Sequence, residues 1–155
     1  MDHKLPRISA LVGASLFWSA MVLAADPHDE IVVIVNKANP VQALSRDELR
    51  PIFQTRKATW PDGTRIQPLD LQDDNPVRHG FGAAVLGLDP DRVARYWIDR
   101  KIRGGERPPA KLSTPALIVR MVASSKGAIG YVNVVDANAT VKIVARVHDG
   151  QVFAP

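Results

Sequence analysis

No cysteine occurs anywhere in this chain of 155 residues, so neither disulfide bridges nor lipid attachment to a cysteine is available, and packing alone must hold the fold. Beyond residue 24 there is no apolar run long enough to cross a bilayer. Neither sign of charge dominates: 20 basic and 16 acidic residues leave +4, too little and too dispersed for a nucleic-acid partner. His28, His79 and His148 are scattered, and none lies at metal-ligand spacing from another, so surface or capping roles are expected for each. The glycines from Gly80 to Gly87 lack the Lys-Ser/Thr of a phosphate loop. Internal repeats and low-complexity segments are missing as well. No arrangement of residues points to an enzyme, and none implies a cofactor or a metal.

Two segments stand out against this background. At the start, Lys4 and Arg7 precede a mostly apolar stretch from Ile8 to Leu23 that ends in Val22-Leu23-Ala24. A basic start, an apolar run and small residues at its end form a secretory signal, with cleavage expected after Ala24. Removing residues 1–24 leaves a domain of residues 25–155 with net charge +3, of a size for one domain and an adequate core. Export without cysteines suits the bacterial periplasm.

The second segment is Leu69-Asp70-Leu71-Gln72-Asp73-Asp74-Asn75-Pro76-Val77-Arg78-His79-Gly80-Phe81. It reads as a strand end, a polar loop and a helix start, with Asn75 at the N-cap and Pro76 in the first turn. Such a junction suits an anion, and Arg78 adds a fork of donors. Asp73 and Asp74 complement the helix dipole themselves and repel an anion, so from spacing alone the residues favour an ordinary acidic helix start.

Elsewhere the elements follow from local chemistry. Ile31-Val32-Val33-Ile34-Val35 is a β-branched run, as in a parallel-sheet strand covered on both faces. Ser45-Arg46-Asp47-Glu48 is a capping box that opens a short helix, interrupted by Pro51. Trp60-Pro61-Asp62-Gly63 is a turn. Ile66, Pro68 and Asp70 share one face of the next strand, and Pro68 favours an edge or strand-end position. The Asn75 helix carries Val77, Phe81, Ala84, Val85 and Leu88. Asp89-Pro90 starts another, whose stripe of Val93, Ala94, Trp97 and Ile98 is expected in the core. With Trp97 buried there, Trp97→Ala would cost about 3–5 kcal/mol. Seven basic residues between Arg92 and Lys111 read as a solvated face or as a patch for an acidic partner. A helix from Pro115, capped by Ser113 or Thr114, turns Leu117, Ile118, Met121 and Val122 inward and ends at Gly127. Residues 127–132 and 140–144 are two further strands, joined by a polar turn around Asp136, Ala137 and Asn138. Strands alternating with helices make an α/β sandwich.

Several of these segments together resemble a known family. Leu44-Ser45-Arg46-Asp47-Glu48-Leu49-Arg50-Pro51-Ile52-Phe53 followed by Trp60-Pro61-Asp62-Gly63 is similar to a segment of the periplasmic phosphate-binding proteins of ABC transporters. Asn75-Pro76-Val77-Arg78 with Phe81, Tyr96-Trp97 and Gly127-Ala128-Ile129-Gly130-Tyr131-Val132 look like later segments of the same family. The resemblance runs from Ile31 to about Val134. It implies one lobe of a type II periplasmic-binding-protein fold, an α/β domain with a mixed, mostly parallel sheet flanked by helices. It also implies binding of phosphate or a similar oxyanion for an ABC transporter, with Gln72, Asn75 and Arg78 as the ligand-binding residues. Two features depart from the family. Its full-length members close two lobes on phosphate, whereas this chain has length for about one. The family's Ser-Gly-Thr pattern is replaced by Asp73-Asp74-Asn75-Pro76, which removes hydroxyl donors and adds carboxylates. A periplasmic interaction or sensory-accessory module that kept the lobe and lost the clamp is the alternative, with a periplasmic or membrane protein as partner. The export signal leads to one direct expectation: mass spectrometry of the exported protein should find an N-terminus near Ala25, and an uncut chain in the membrane fraction would refute it.

Overall fold

The computed structural model describes residues 30–104 and 106–155; the expected signal segment and His28 lie outside them. In chain order the elements are β1 (Ile31–Asn36), α1 (Arg46–Phe53), β2 (Gln67–Leu71), α2 (Pro76–Phe81) and α3 (Pro90–Gly104). They are followed by β3 (Ala110–Leu112), α4 (Pro115–Ser124), β4 (Ala128–Asn133), β5 (Val141–His148) and β6 (Gln151–Phe153). A π-helical turn, Gly82–Leu86, extends α2, and Gly87 ends it in the left-handed conformation at φ 69°. The six strands form one sheet in the order β3-β2-β4-β1-β5-β6.

The sheet is mixed, as expected. β2 pairs in parallel with both β3 and β4, while β1 pairs antiparallel with both β4 and β5, and β6 antiparallel with β5. These pairings point four strands in one direction, with β1 and β6 opposed. The β1 run is buried on both faces as its composition indicates, with Val32 to Val35 fully inaccessible. Its neighbours are nonetheless antiparallel, because an unbroken apolar run reports cover on both faces and carries no information on strand direction. Pro68 is the second residue of β2 and is bonded there only to β4; β3 joins from Leu69 onward, so the missing N–H falls at a strand start.

Strand alternation assigns the two faces. A side chain added at Gly130 would meet Ile118 and Val122 of α4, together with Leu69 of β2, so these lie on the α4 face. The next residue along β4, Tyr131, stacks instead on Phe81 of α2 and meets Phe53 of α1 edge-on. The sheet is therefore covered by α4 on one face and by α1 and α2 on the other. The capping box of α1 forms in full: the Ser45 hydroxyl accepts from the Glu48 N–H, and the Glu48 carboxylate accepts from the Ser45 N–H at 2.8 Å. The helix is short, as Pro51 requires. Thr114 caps α4 through the Leu117 N–H at 3.3 Å.

Three expectations are corrected. The inward face of α4 is Ile118, Val119 and Val122; Leu117 is half-buried and Met121 is 41% exposed. In α3 only Val93 is buried. Trp97 is half-buried, Ala94 is exposed and Ile98 is 60% exposed, because α3 meets the body along one narrow side instead of lying across it. Trp97 is therefore not a core residue, and its truncation removes much less buried surface than a core tryptophan would. Lastly, α4 ends at Ser125, whose N–H bonds the Met121 carbonyl, and Gly127 serves a different purpose. A Cβ at Gly127 would lie 2.0 Å from the Arg65 carbonyl oxygen. The Gly127 carbonyl meanwhile accepts from the Gln67 N–H at 2.9 Å and from the buried Trp60 indole N–H at 3.0 Å. Glycine is needed at Gly127 because two backbones meet. Gly127→Ala should accordingly destabilise the domain by at least about 1–3 kcal/mol, the usual cost of overpacking. A denaturant midpoint left unchanged by the substitution would contradict that close approach.

Candidate functional site

The polar loop after β2 lies over the α1–α2 face of the sheet. Asp70 is on that face, as the alternation with Ile66 and Pro68 requires, and is 8% exposed. An isolated carboxylate at that depth would be costly. Its two oxygens are provided with three donors: Oδ1 accepts from the Leu71 N–H at 2.9 Å and from the Tyr131 hydroxyl, and Oδ2 accepts from Arg78 Nε at 3.0 Å. Arg78 is equally buried.

The outer edge of the Arg78 guanidinium faces the loop, where Nη1 lies 3.1 Å from Asp73 Oδ1. Lys111, on β3, reaches the same carboxylate with Nζ 2.6 and 2.7 Å from its oxygens. The hydrogen bond from Lys111 holds the Asp73 carboxyl below the ordinary range, and the nearby charges of Arg78, Lys111 and His79 add to the effect. His79 is exposed, on the surface as expected, and its ring Nε2–H donates to the Asp73 carbonyl at 2.6 Å. Asp74 is exposed.

Each residue expected to bind a ligand has a definite place. Asn75 is the N-cap of α2, its side-chain oxygen accepting from the Val77 N–H at 2.9 Å, so that oxygen is already used. Gln72 is exposed at the loop's start, its carbonyl accepting from the Asn75 N–H at 3.1 Å. Arg78 is the residue brought into the interior, beside the buried Asp70 and Tyr131, while the exposed Asp73, held also by the exposed Lys111, meets it at the surface. None of these four had been identified as part of the site. The available signal was that Asp70 shares a strand face with Ile66 and Pro68, since a carboxylate on an apolar face requires a donor. The identity of that donor depends on a residue 61 positions later in the chain.

Behind Arg78 stands an aromatic wall. The rings of Phe81 and Tyr131 stack at 3.9 Å and 5°, and Phe53 meets both edge-on. A crevice lined by these rings, Arg78, Trp97 and Leu88 has room for about one water molecule. Among the described residues no group of His, Cys, Asp and Glu could hold a metal ion, and no helix is long and apolar enough to cross a membrane.

No protein-family model matches the chain, and no curated protein sequence does. Solved structures do share its fold. A putative phosphate ABC transporter substrate-binding protein with bound phosphate from Clostridium perfringens superposes with a TM-score of 0.63 at 21% identity, over 79% of this chain and 46% of that one. An ABC-type phosphate transport receptor from Vibrio cholerae gives 0.59 at 18%, over 75% and 45%. PstS from Borrelia burgdorferi gives 0.59 at 11%, over 75% and 46%. The sequence resemblance to phosphate-binding proteins is thus matched by the fold, and this chain spans less than half the length of each of those structures.

Burial of Tyr131 pushes its phenol well above its ordinary value, and the neighbouring Asp70 charge and hydrogen bond push the same way. A raised pKa means stability that is complete below the unfolded value, about 10, and is lost as pH rises from there toward the folded one. Tyr131→Phe should therefore lower stability at neutral pH by about 1.5–3 kcal/mol, the range for a hydrogen bond to a charged group. It should also flatten the further loss above about pH 10. Denaturant midpoints measured across that range check both effects, and parallel profiles for the two proteins would contradict the assignment.

Proposed function

We propose that this chain is an exported, non-enzymatic lobe of binding-protein type that takes phosphate or a related oxyanion on the Arg78 loop in the service of an ABC transporter. Arg78, with Gln72 and Asn75 at the loop's start, forms the site, and Lys111 joins it from β3. The reading places the mature domain, residues 25–155, in the periplasm. The observation that carries it is the Asp73 carboxylate, an oxygen anion gripped by Arg78 Nη1 and Lys111 Nζ together. Asp70 takes Arg78 Nε from behind, which orients the guanidinium and leaves its outer edge for an anion at the loop. An external oxyanion would use the same two cations and would have to displace Asp73.

That competition limits the affinity. Two charge-assisted hydrogen bonds contribute about 3–6 kcal/mol together, which spans roughly 6 mM to 40 μM before the competitor and the entropy of association are subtracted. A tethered carboxylate competes at an effective concentration of about millimolar or above. The chain also spans under half the length of the phosphate-binding structures that share its fold, so a second unit is needed to close over the ligand and exclude water.

The neutralised state of the loop favours a second reading, in which the lobe has become a periplasmic interaction or sensory-accessory module. Both cations already have carboxylate partners, and the crevice beside Arg78 admits little more than one water. Calorimetric titration with phosphate separates the two. The monomer is expected to show no binding below about millimolar, and Asp73→Ser with Asp74→Gly is expected to bring measurable binding. Micromolar binding by the unmodified monomer, abolished by Arg78→Ala, would show that Asp73 does not compete. No binding by the double variant, even at high phosphate, would favour the interaction module.

A further inference from the structure

A groove distinct from the Arg78 crevice opens at the other end of the parallel strands. The residues just before β2 and β3 line it, together with the chain that leaves α1, and only Pro109 is common to both depressions. It brings together Thr55, Lys57, Arg65, Glu106 and Arg107. No side chain of the Arg78 network lines it.

Its charge is unbalanced. Three cations and one carboxylate line the groove, and the carboxylate, Glu106, is already held by Arg100, whose Nε lies 2.6 Å away. Lys57, Arg65 and Arg107 form no salt bridge among the described residues; Lys57 acts on Glu48 only through its field. A second observation concerns Thr55. Its hydroxyl oxygen is buried and has no hydrogen-bond partner, a state that costs free energy and calls for an unseen partner. Its backbone sits at φ 55°, the left-handed conformation that ends α1, with the Thr55 N–H bonded to the Ile52 carbonyl at 3.0 Å and the Arg56 N–H to the Pro51 carbonyl at 2.8 Å. Thr55 and the three cations line the same groove, and the two observations are independent of each other.

We propose that this groove is a second binding site, for a polyvalent oxyanion. Lys57, Arg65 and Arg107 pair with its charged oxygens, and the Thr55 hydroxyl donates to one of them. The groove offers about 400 Å³ of space, more than a single phosphate fills. The ligand class is therefore a molecule with two or more anionic groups, a polyphosphate or a polycarboxylate. This site stands whether or not phosphate occupies the Arg78 loop.

Pyrophosphate is the probe, titrated calorimetrically into the full chain at constant ionic strength, with sulfate as a control for plain charge screening. One equivalent is expected to bind more tightly than sulfate. Lys57→Gln combined with Arg107→Gln should weaken it by about tenfold or more, as loss of two charge-assisted contacts does. Thr55→Val, which keeps the shape and removes the hydroxyl, should weaken binding severalfold while the thermal midpoint stays level or rises, because an unsatisfied polar group has been removed. Lys111→Gln, at the other site, should leave pyrophosphate binding intact. The proposal falls if the wild-type chain binds pyrophosphate no better than sulfate, if the double variant binds as the wild type does, or if Lys111→Gln abolishes binding instead. It falls equally if Thr55→Val lowers the midpoint with affinity unchanged, which would make the hydroxyl structural.

Discussion

The buried carboxylate of Asp70 is the constraint to which the rest of this face of the molecule answers. A charge at that depth is tolerated only while its partners remain in place, and removing one of a buried pair typically costs about 3–5 kcal/mol. Each partner comes from a different element: Leu71 from the strand itself, Arg78 from α2, and Tyr131 from β4. Asp70 therefore ties the loop after β2 to the middle of the sheet. The Tyr131 hydroxyl can serve it only because the ring is held by Phe81 and Phe53. A polar network and an aromatic cluster thus share one residue and stand or fall together.

Arg78 links this interior to the surface. One side of its guanidinium neutralises Asp70 and the other meets Asp73, which Lys111 also holds. Oriented in this way the group is rigid, as a recognition residue should be, and it is also occupied. Adaptation to an oxyanion and occupation by an internal carboxylate are consequences of the same geometry. Which of them governs function depends on whether the exposed Asp73 carboxylate can be displaced.

The opposite end of the parallel strands is organised by backbone approach instead. Gly127 lets the chain before β4 press on the Arg65 carbonyl, and the Trp60 indole fastens the junction from the side. Arg65 is held in position by that junction and lines the groove together with Lys57 and Arg107. The two ends of the sheet therefore present different chemistry: one neutralised cation pair over an aromatic wall, and one set of cations that no carboxylate offsets.

Much of the fold was legible in the residues because local chemistry decides it. The Ser45 capping box, the Asn75 cap with Pro76, the Gly63 turn and the β-branched run of β1 act within a few residues, and each forms where its composition requires. The α/β class follows from the alternation of strands and helices in the same way. Other features had no local signal. Strands β3 and β6 are three residues each and owe their existence to a neighbouring strand's unpaired edge. The antiparallel pairing of β1, the half-exposure of Trp97 and the task of Gly127 depend on which elements come to lie beside them. The candidate site divides along the same line. The sequence by itself determined that an arginine follows a capped helix start beside two aspartates. Only the tertiary structure decided that this arginine is buried, that Asp70 and Tyr131 complete its surroundings and that Asp73 and Lys111 close over it. The physical reason is that a buried charge takes its partners from whatever the fold brings within about 3 Å, and that distance is unrelated to separation along the chain.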